Sequence, residues 1–422
     1  MRKEKKGTWW NKEDDIFESF AMELDRFTKT QEIPQSGDQD VQYYLELQNT
    51  RLKKKGIRMG YDIVPKTDVK LSVDIPNKRK WSDGVYDNKI EWHHCNFTRE
   101  FYRNDKKLYR KKEYKTFYQY ITYAKQDSDI GEELYTCPNC GAVSKIKELE
   151  DGCPYCGTCY DMDDLFPRVT NYYMVPYLDQ EESNARMKKT IMASIAFIFT
   201  MVLLIGLFSG EGLLITLVAA VLFGGFFGAI SGWFINLCTM IAWIGGQAKD
   251  TTGMLFNSVG SKGRFVEKMK QYSPEFSFEY FSSKVISLLK MILFAEDVQE
   301  LAQYKGSLSG ELYPDIVDAT FAGAIALKKF QVVGDYAELD IDAYVETMHD
   351  KKWCIKRKVE KYRMHLRRNI NVPIDYHFSI KKISCKNCAG SFDATKYKTC
   401  PNCGTKYDIG DDDWLVTSIE KR

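Results

Sequence analysis

Net charge is almost absent from this 422-residue chain: 60 Lys and Arg stand against 58 Asp and Glu, leaving +2. So small a balance implies no partner for the chain as a whole. Catalytic motifs are missing too. There is no phosphate-cradling glycine loop, nucleophile triad or metal-hydrolase motif, which removes the commonest nucleotide-binding and hydrolytic enzyme classes. A secretory leader is also lacking. The chain begins Met1-Arg2-Lys3-Glu4-Lys5-Lys6 with no apolar stretch behind it, so the N-terminus is expected to stay in the cytosol. Charged residues themselves are not scarce. At 28% they argue for folded soluble parts, and the length allows two or three domains.

Cysteine is the informative residue. Eight of the 12 cysteines fall in four C-x-x-C pairs, leaving Cys95, Cys159, Cys238 and Cys354. The first cluster is Cys137-Pro-Asn-Cys140-Gly followed by Cys153-Pro-Tyr-Cys156-Gly; the second is Cys385-Lys-Asn-Cys388 followed by Cys400-Pro-Asn-Cys403-Gly. Two residues between cysteines let both thiolates reach one ion from a tight turn, and two such turns complete a tetrahedron with no open position. In a reducing compartment these pairs read as metal ligands rather than disulfides. Two structural Zn2+ ions are therefore expected, in preference to rubredoxin-type iron. Cys153-Pro-Tyr-Cys156 also matches the glutaredoxin active-site motif. That chemistry needs a dithiol at a helix N-terminus, and the upstream pair argues against it. The clusters resemble each other beyond their ligands. Cys153-Pro-Tyr-Cys-Gly-Thr-Cys-Tyr-Asp161 aligns with Cys400-Pro-Asn-Cys-Gly-Thr-Lys-Tyr-Asp408, and acids and an apolar run follow both. This predicts a repeated plan, a ribbon inserted before the last strand of a sheet, and leaves Cys159, opposite Lys406, outside the ligand set.

Thr190 to Gly210 carries no charge over 21 residues, about 31 Å of helix. After Ser209-Gly210-Glu211-Gly212, which reads as a tight turn, a second apolar run continues to Gly246. It is long enough for a span plus an interfacial helix around Trp233 to Trp243. Arg186, Lys188 and Lys189 precede the first run and Lys249, Lys262, Arg264, Lys268 and Lys270 follow the second, so the positive-inside rule predicts a two-span hairpin with both long soluble parts in the cytoplasm, at the cell inner membrane. Gly224, Gly228 and Gly232 share one helix face and predict close helix packing.

The soluble parts read as α+β. Asp14 to Phe27 has helical spacing; Val69–Val73, Ile90–Phe101 and Tyr114–Tyr123 alternate like strands. An amphipathic helix is expected from Phe276 to Ile292, then antiparallel stretches at Ile316–Phe330, Tyr336–Thr347, Trp353–Arg367 and Trp414–Ile419. The expected division is 1–136, an N-terminal cytoplasmic α+β domain; 137–177, the first zinc ribbon and a following strand; 188–246, the hairpin; 247–273, a linker; and 274–422, a second domain with the other ribbon at 383–409. His93-His94-Cys95 could ligate a metal, but neighbouring strand residues point to opposite faces, which favours ordinary strand positions. Residues 51–125 carry 20 Lys and Arg against 9 Asp and Glu. That excess suits a solvated sheet face, an anionic inner-leaflet contact or, less well, nucleic acid.

Residues 274–419 resemble the Tim-forty-four-like domain family, through the aromatic helix from Phe276, the Gly334-Asp335-Tyr336 turn, Val359-Glu360-Lys361-Tyr362 to Arg367, and the closing Asp413-Trp414-Leu415. Tyr362 stands where the family usually carries Trp. A ribbon before the last strand is similar to bacterial members that combine an anchor, this domain and a zinc ribbon. The resemblance implies a cone like nuclear transport factor two, with helices on a curved antiparallel sheet around an apolar pocket. It also implies work at membranes as a tether or adaptor that contacts lipid or polypeptide, with no catalytic residues. The leading expectation is thus a non-enzymatic, membrane-anchored zinc-ribbon protein that binds a polypeptide or lipid. The alternatives are an enzyme using the pocket and a membrane-tethered nucleic-acid-binding protein.

Overall fold

The computed structural model describes residues 15–66, 78–83, 86–124, 130–162, 165–176, 180–210, 212–274, 276–371, 381–382, 384–385, 387–392, 397–406 and 414–422. The chain divides into two compact units: residues up to Pro176 together with Asn257–Arg422, and Tyr177–Phe256 between them. The first unit opens with α1 (Asp15–Thr30) and α2 (Gln39–Lys54), then β1 (Ile57–Pro65), β2 (Lys78–Asp83), β3 (Tyr86–Arg103) and β4 (Lys106–Ala124). The first cysteine ribbon contributes β5 (Leu134–Thr136), β6 (Val143–Lys145) and β7 (Tyr160–Asp161), and β8 (Val169–Pro176) follows it. Helices α3 (Gln180–Phe208) and α4 (Leu213–Tyr272) are the apolar pair; α5 is Phe278–Phe294. Then come β9 (Ile316–Val333), β10 (Tyr336–Asp350), β11 (Ile355–Asn369), β12 (Lys381–Lys382), the second ribbon and β13 (Leu415–Lys421).

Nine strands form one sheet in the order β1-β3-β4-β8-β9-β10-β11-β13, with β2 on β3. Both halves follow one plan: three antiparallel strands, a cysteine ribbon, and a last strand antiparallel to the third. The halves join where β8 meets β9 in parallel at Tyr173 and Phe321. The repeated plan expected from the two clusters is therefore present in the strands. The expected domains 1–136 and 274–422 share this sheet and one hydrophobic core, so they form one unit rather than two. Long-range pairing overrides the boundary that the apolar insertion suggests.

Local chemistry explains the turns. Asn104 and Asp105 take positive φ (47° and 59°), the conformation of a tight hairpin between β3 and β4. Gly334, at φ 60°, turns β9 into β10. The sheet curls far enough to bring non-neighbouring strands together: Arg103 of β3 bonds Asp350 of β10 at 2.7 Å, and Arg99 of β3 bonds Glu346 of β10 at 2.9 Å. Helices fill the inside. Phe17, Phe20, Leu24 and Phe27 of α1 are buried, as are Val285, Leu289 and Ile292 of α5. Full burial of one such side chain contributes about 1.5–3 kcal/mol. Arg51 of α2, 1% exposed on its side chain, pairs with Glu311 at 3.0 Å. Its guanidinium also donates to the carbonyls of Leu293, Ala295, Tyr313 and Ile316, tying α2 to the end of α5.

Helix α2 and strand β1 have no counterpart in the sequence reading. The inward face of α2 carries Gln48, Asn49 and Arg51 between Val41, Tyr44, Leu45 and Leu52, so polar residues dilute its apolar period. Asp38, whose carboxylate accepts from the Val41 amide at 2.7 Å, was the available start signal. Other differences are smaller. The expected linker 247–273 is helical to Tyr272, and no break separates the expected interfacial helix around Trp233–Trp243 from the rest of α4. No proline interrupts the run from Leu213 to Tyr272, and the helix stops just before Pro274. Val69–Val73 lies outside the described residues.

In the second unit, two helices are long and apolar enough to cross a membrane: Asn184–Phe208 and Leu213–Thr239, with mean hydropathies of 2.6 and 2.5. Their apolar side chains are largely exposed, Phe208 at 89% and Leu214 at 77%. The glycine face closes them on each other. A Cβ on Gly228 would lie 2.4 Å from Ile195 Cα, one on Gly232 2.6 Å from Ile191 Cα, and one on Gly224 2.9 Å from Phe199 Cα. Ordinary carbon contacts need about 3.5–4 Å. Gly228→Leu is thus expected to separate the helices by roughly 1 Å or more. Spin labels on the two helices in nanodiscs would read the change; an unaltered distance would contradict this packing.

Candidate metal centres and a cleft in the sheet

Each C-x-x-C pair is wound into a tight knuckle. The carbonyls of Cys137, Cys153, Cys385 and Cys400 accept from the amides of Gly141, Gly157, Ala389 and Gly404, all at 2.8 Å. The fifth residue of each knuckle, Gly141, Gly157, Ala389 or Gly404, has positive φ: 73°, 69°, 56° and 70°. Three of the four are glycine, which bears this conformation without cost; Ala389 bears it with strain.

The knuckles pair as the spacing predicted. Cys137, Cys140, Cys153 and Cys156 form one group and Cys385, Cys388, Cys400 and Cys403 the other, with the sulfurs of each group within 4.8 Å of one another. Cys137–Cys156 and Cys140–Cys153 are 3.7 Å apart; Cys385–Cys403 is 3.6 Å and Cys388–Cys400 3.7 Å. A tetrahedral ion with metal–sulfur bonds of about 2.3 Å requires sulfur–sulfur edges of about 3.8 Å, so the arrangement fits such an ion closely. Four thiols fill the tetrahedron and leave no position for a substrate.

Neighbouring groups favour the thiolate form at Cys156 and Cys403, whereas Cys140 and Cys388, despite backbone donors, are pushed up by the adjoining sulfurs and desolvation. The Thr158 hydroxyl lies 3.1 Å from Cys156 Sγ, and Thr405 lies 3.1 Å from Cys403 Sγ. These contacts hold Cys156 below the usual thiol range and pull Cys403 down to about 6. The two threonines occupy equivalent places in the aligned ribbons. Asn139 and Asn387 donate to Cys156 and Cys403 at 3.6 and 3.9 Å. Cys159, as expected, stays outside the cluster, with its Sγ donating to the Gly157 carbonyl at 3.6 Å. The first ribbon also meets the short strand that leads into the second, where β12 pairs with β7, Lys381 opposite Asp161 and Lys382 opposite Tyr160.

The other sequence candidates do not converge. His93 bonds Glu91 at 3.1 Å and His94 bonds Thr116 at 2.9 Å, while Cys95 is fully buried and burial pushes its thiol up to about 12. These are strand residues, not a metal cluster. In the basic stretch 51–125, Arg51, Arg99 and Lys115 point inward and are buried, so part of the charge excess serves the interior.

The site that sequence reasoning missed is a cleft of about 320 Å³ where the two halves of the sheet join. Tyr120 of β4, Asn171 and Tyr173 of β8, and Phe321 of β9 line one side; Phe278, Glu279 and Ser282 of α5 and Lys262 of α4 line the other. Tyr173 lies against Tyr120, with ring centroids 5.9 Å apart, and edge-on to Phe321 at 5.5 Å. Gly323, at φ 83°, sits beside a register shift in β9 and keeps the floor open under Tyr173. These residues come from five elements, and no motif announces them. Comparison of the chain with protein-family models, with curated proteins and with solved structures finds no match in any of the three.

Proposed function

We propose that this protein is a membrane-anchored, non-enzymatic binding protein whose soluble unit is stapled by two structural zinc ions and acts as an adaptor or tether for a polypeptide or lipid. The observation that carries the reading is the pair of closed four-thiol sites on the same chain as two exposed apolar helices. Tetrahedral thiolate sites suit zinc, which stabilises a fold without taking part in redox or substrate chemistry. The basic flanks of the apolar pair favour a hairpin with both long soluble parts in the cytoplasm, at the inner membrane of a bacterial cell. The exposed remainder of the basic stretch 51–125 suits contact with anionic inner-leaflet lipid. The Tim-forty-four-like resemblance supports a tethering role. In that reading, α5 with β9, β10, β11 and β13 is the helix-on-sheet core of a cone like nuclear transport factor two.

The test is fractionation of the full chain. It is expected to resist carbonate extraction from membranes and to carry two zinc ions per chain. In inside-out vesicles, added protease is expected to reach both soluble segments. Release by carbonate would remove the anchor from this reading, and iron or an empty site would remove the zinc.

A further inference from the structure

The cleft at the junction of the sheet halves holds one of the chain's own cations. Lys262 Nζ lies 2.7 Å from Glu279 Oε1 and 4.3 Å from the centroid of the Phe278 ring. Its side chain is 48% exposed, whereas that of Glu279 is 14% exposed. The carboxylate thus belongs to the wall of the cleft, and the ammonium reaches it from outside. Tyr120, Tyr173 and Phe321 line the same cleft. Aromatic faces attract cations, most strongly where water is excluded. Asn171, 4% exposed, lines the same cleft, and its buried side-chain oxygen has no hydrogen-bond partner. An unmatched buried acceptor costs stability unless a donor fills it.

A carboxylate, a bare acceptor and three aromatic walls share one preference: a positively charged group that donates hydrogen bonds. An anion would find donors in Lys262 and Ser282, but it would meet the Glu279 carboxylate with like charge and leave the Asn171 oxygen without a donor. The nearby Arg79 acts on Tyr120 from β2, but it is exposed and its guanidinium lies 5.5 Å over Trp81. We propose that this cleft binds the primary ammonium group of a small ligand, and that Lys262 is a built-in occupant which the ligand displaces from Glu279. The ammonium could arrive on a free amine or on a lipid headgroup; the chemistry is the same. The inference does not depend on the zinc ions or on the tethering role.

Calorimetric titration of the full chain in phosphatidylglycerol nanodiscs tests it, with benzylammonium as the probe and benzyl alcohol as its neutral counterpart. Wild type is expected to bind benzylammonium at least tenfold more tightly than benzyl alcohol. Lys262→Ala should tighten benzylammonium binding about tenfold by removing the competitor. Adding Glu279→Gln to Lys262→Ala should reverse that gain. Equal binding of the alcohol, or no gain from Lys262→Ala, would overturn the proposal; the first result is read on the wild-type chain, and the second replaces a half-exposed side chain. Nanodiscs containing phosphatidylethanolamine separate the sources. A lower apparent affinity there assigns the site to lipid headgroups, and an unchanged affinity assigns it to free amines; both support the ammonium.

Discussion

Removing the metal from the first ribbon is expected to disrupt the sheet more than removing it from the second. The reason is position. The first ribbon connects β4 to β8, and β8 is the strand through which the two halves join. The second connects β11 to β13, at the edge. A structural four-thiolate zinc is worth about 10–16 kcal/mol to the fold it closes, as much as a whole domain's net stability of about 5–15 kcal/mol. Cys153→Ser should therefore lose one ion per chain and lose amide protection across 169–176 and the adjoining 316–333. Cys400→Ser should also lose one ion, with the loss of protection centred on 415–421. Trp414 packs on Phe281 at 5.0 Å, and Val416 is fully buried, so the edge strand will not detach without cost to the core. Metal analysis with hydrogen exchange measures both quantities. Equal loss of protection in the two variants would show that the ribbons do not act through the strands they connect.

The second large effect is expected at Glu346. Its carboxylate sits 2.9 Å from Arg99, 2.5 Å from Arg357 and 3.7 Å from Lys115. Arg99 also lies 3.5 Å from Asp318, and Arg357 3.0 Å from Glu113. This cluster bonds β3 and β4 of one half to β9, β10 and β11 of the other. Burial works to raise the pKa of Glu346, but Arg99, Lys115 and Arg357 outweigh it and hold the carboxyl down at about 2. Lys115 is the weakest member: burial holds its ammonium below the usual range despite Glu346 and Glu113. Relative to the ordinary value of 4.5, a folded pKa of about 2 contributes about 3 kcal/mol of stability, present above pH 4.5 and lost as pH falls from 4.5 to 2. Glu346→Gln leaves two buried cations, Arg99 and Lys115, and the half-buried Arg357 short of a counter-charge and should cost about 3–5 kcal/mol at pH 7. It should also flatten the acid limb of stability over that window. Denaturant titrations at pH 7 and pH 3 check both parts. A variant as stable as wild type at pH 7 would mean that the cations are neutralised by Asp318 and Glu113 alone.

The legible features were those whose signal is local. C-x-x-C spacing identified eight sulfurs that meet in two groups, because a knuckle is made by five consecutive residues. Alternating runs at Ile90–Phe101 and Tyr336–Thr347 identified the cores of β3 and β10, since side chains on a strand change face at every residue. Four-residue glycine spacing identified the closed face of the apolar pair. Helix α2 escaped because its inward positions hold Gln48 and Arg51, residues that are tolerated there only by partners far along the chain. Gln48 donates to Asp318 at 3.0 Å and to the Val317 carbonyl at 3.1 Å.

The two ribbons with which the cysteines announced this protein are closed four-thiol groups sized for a metal ion, set by composition and spacing within about twenty residues each. Tertiary structure alone decided what they hold together. A single parallel contact between Tyr173 and Phe321 merges two similar halves into one sheet, and its curl brings Arg99 to Glu346 across 247 positions of chain. The same junction creates the cleft of about 320 Å³ between β8, β9 and α5. Such contacts depend on where distant strands come to lie, and local patterning, which records only the face a residue shows, carries no register between them.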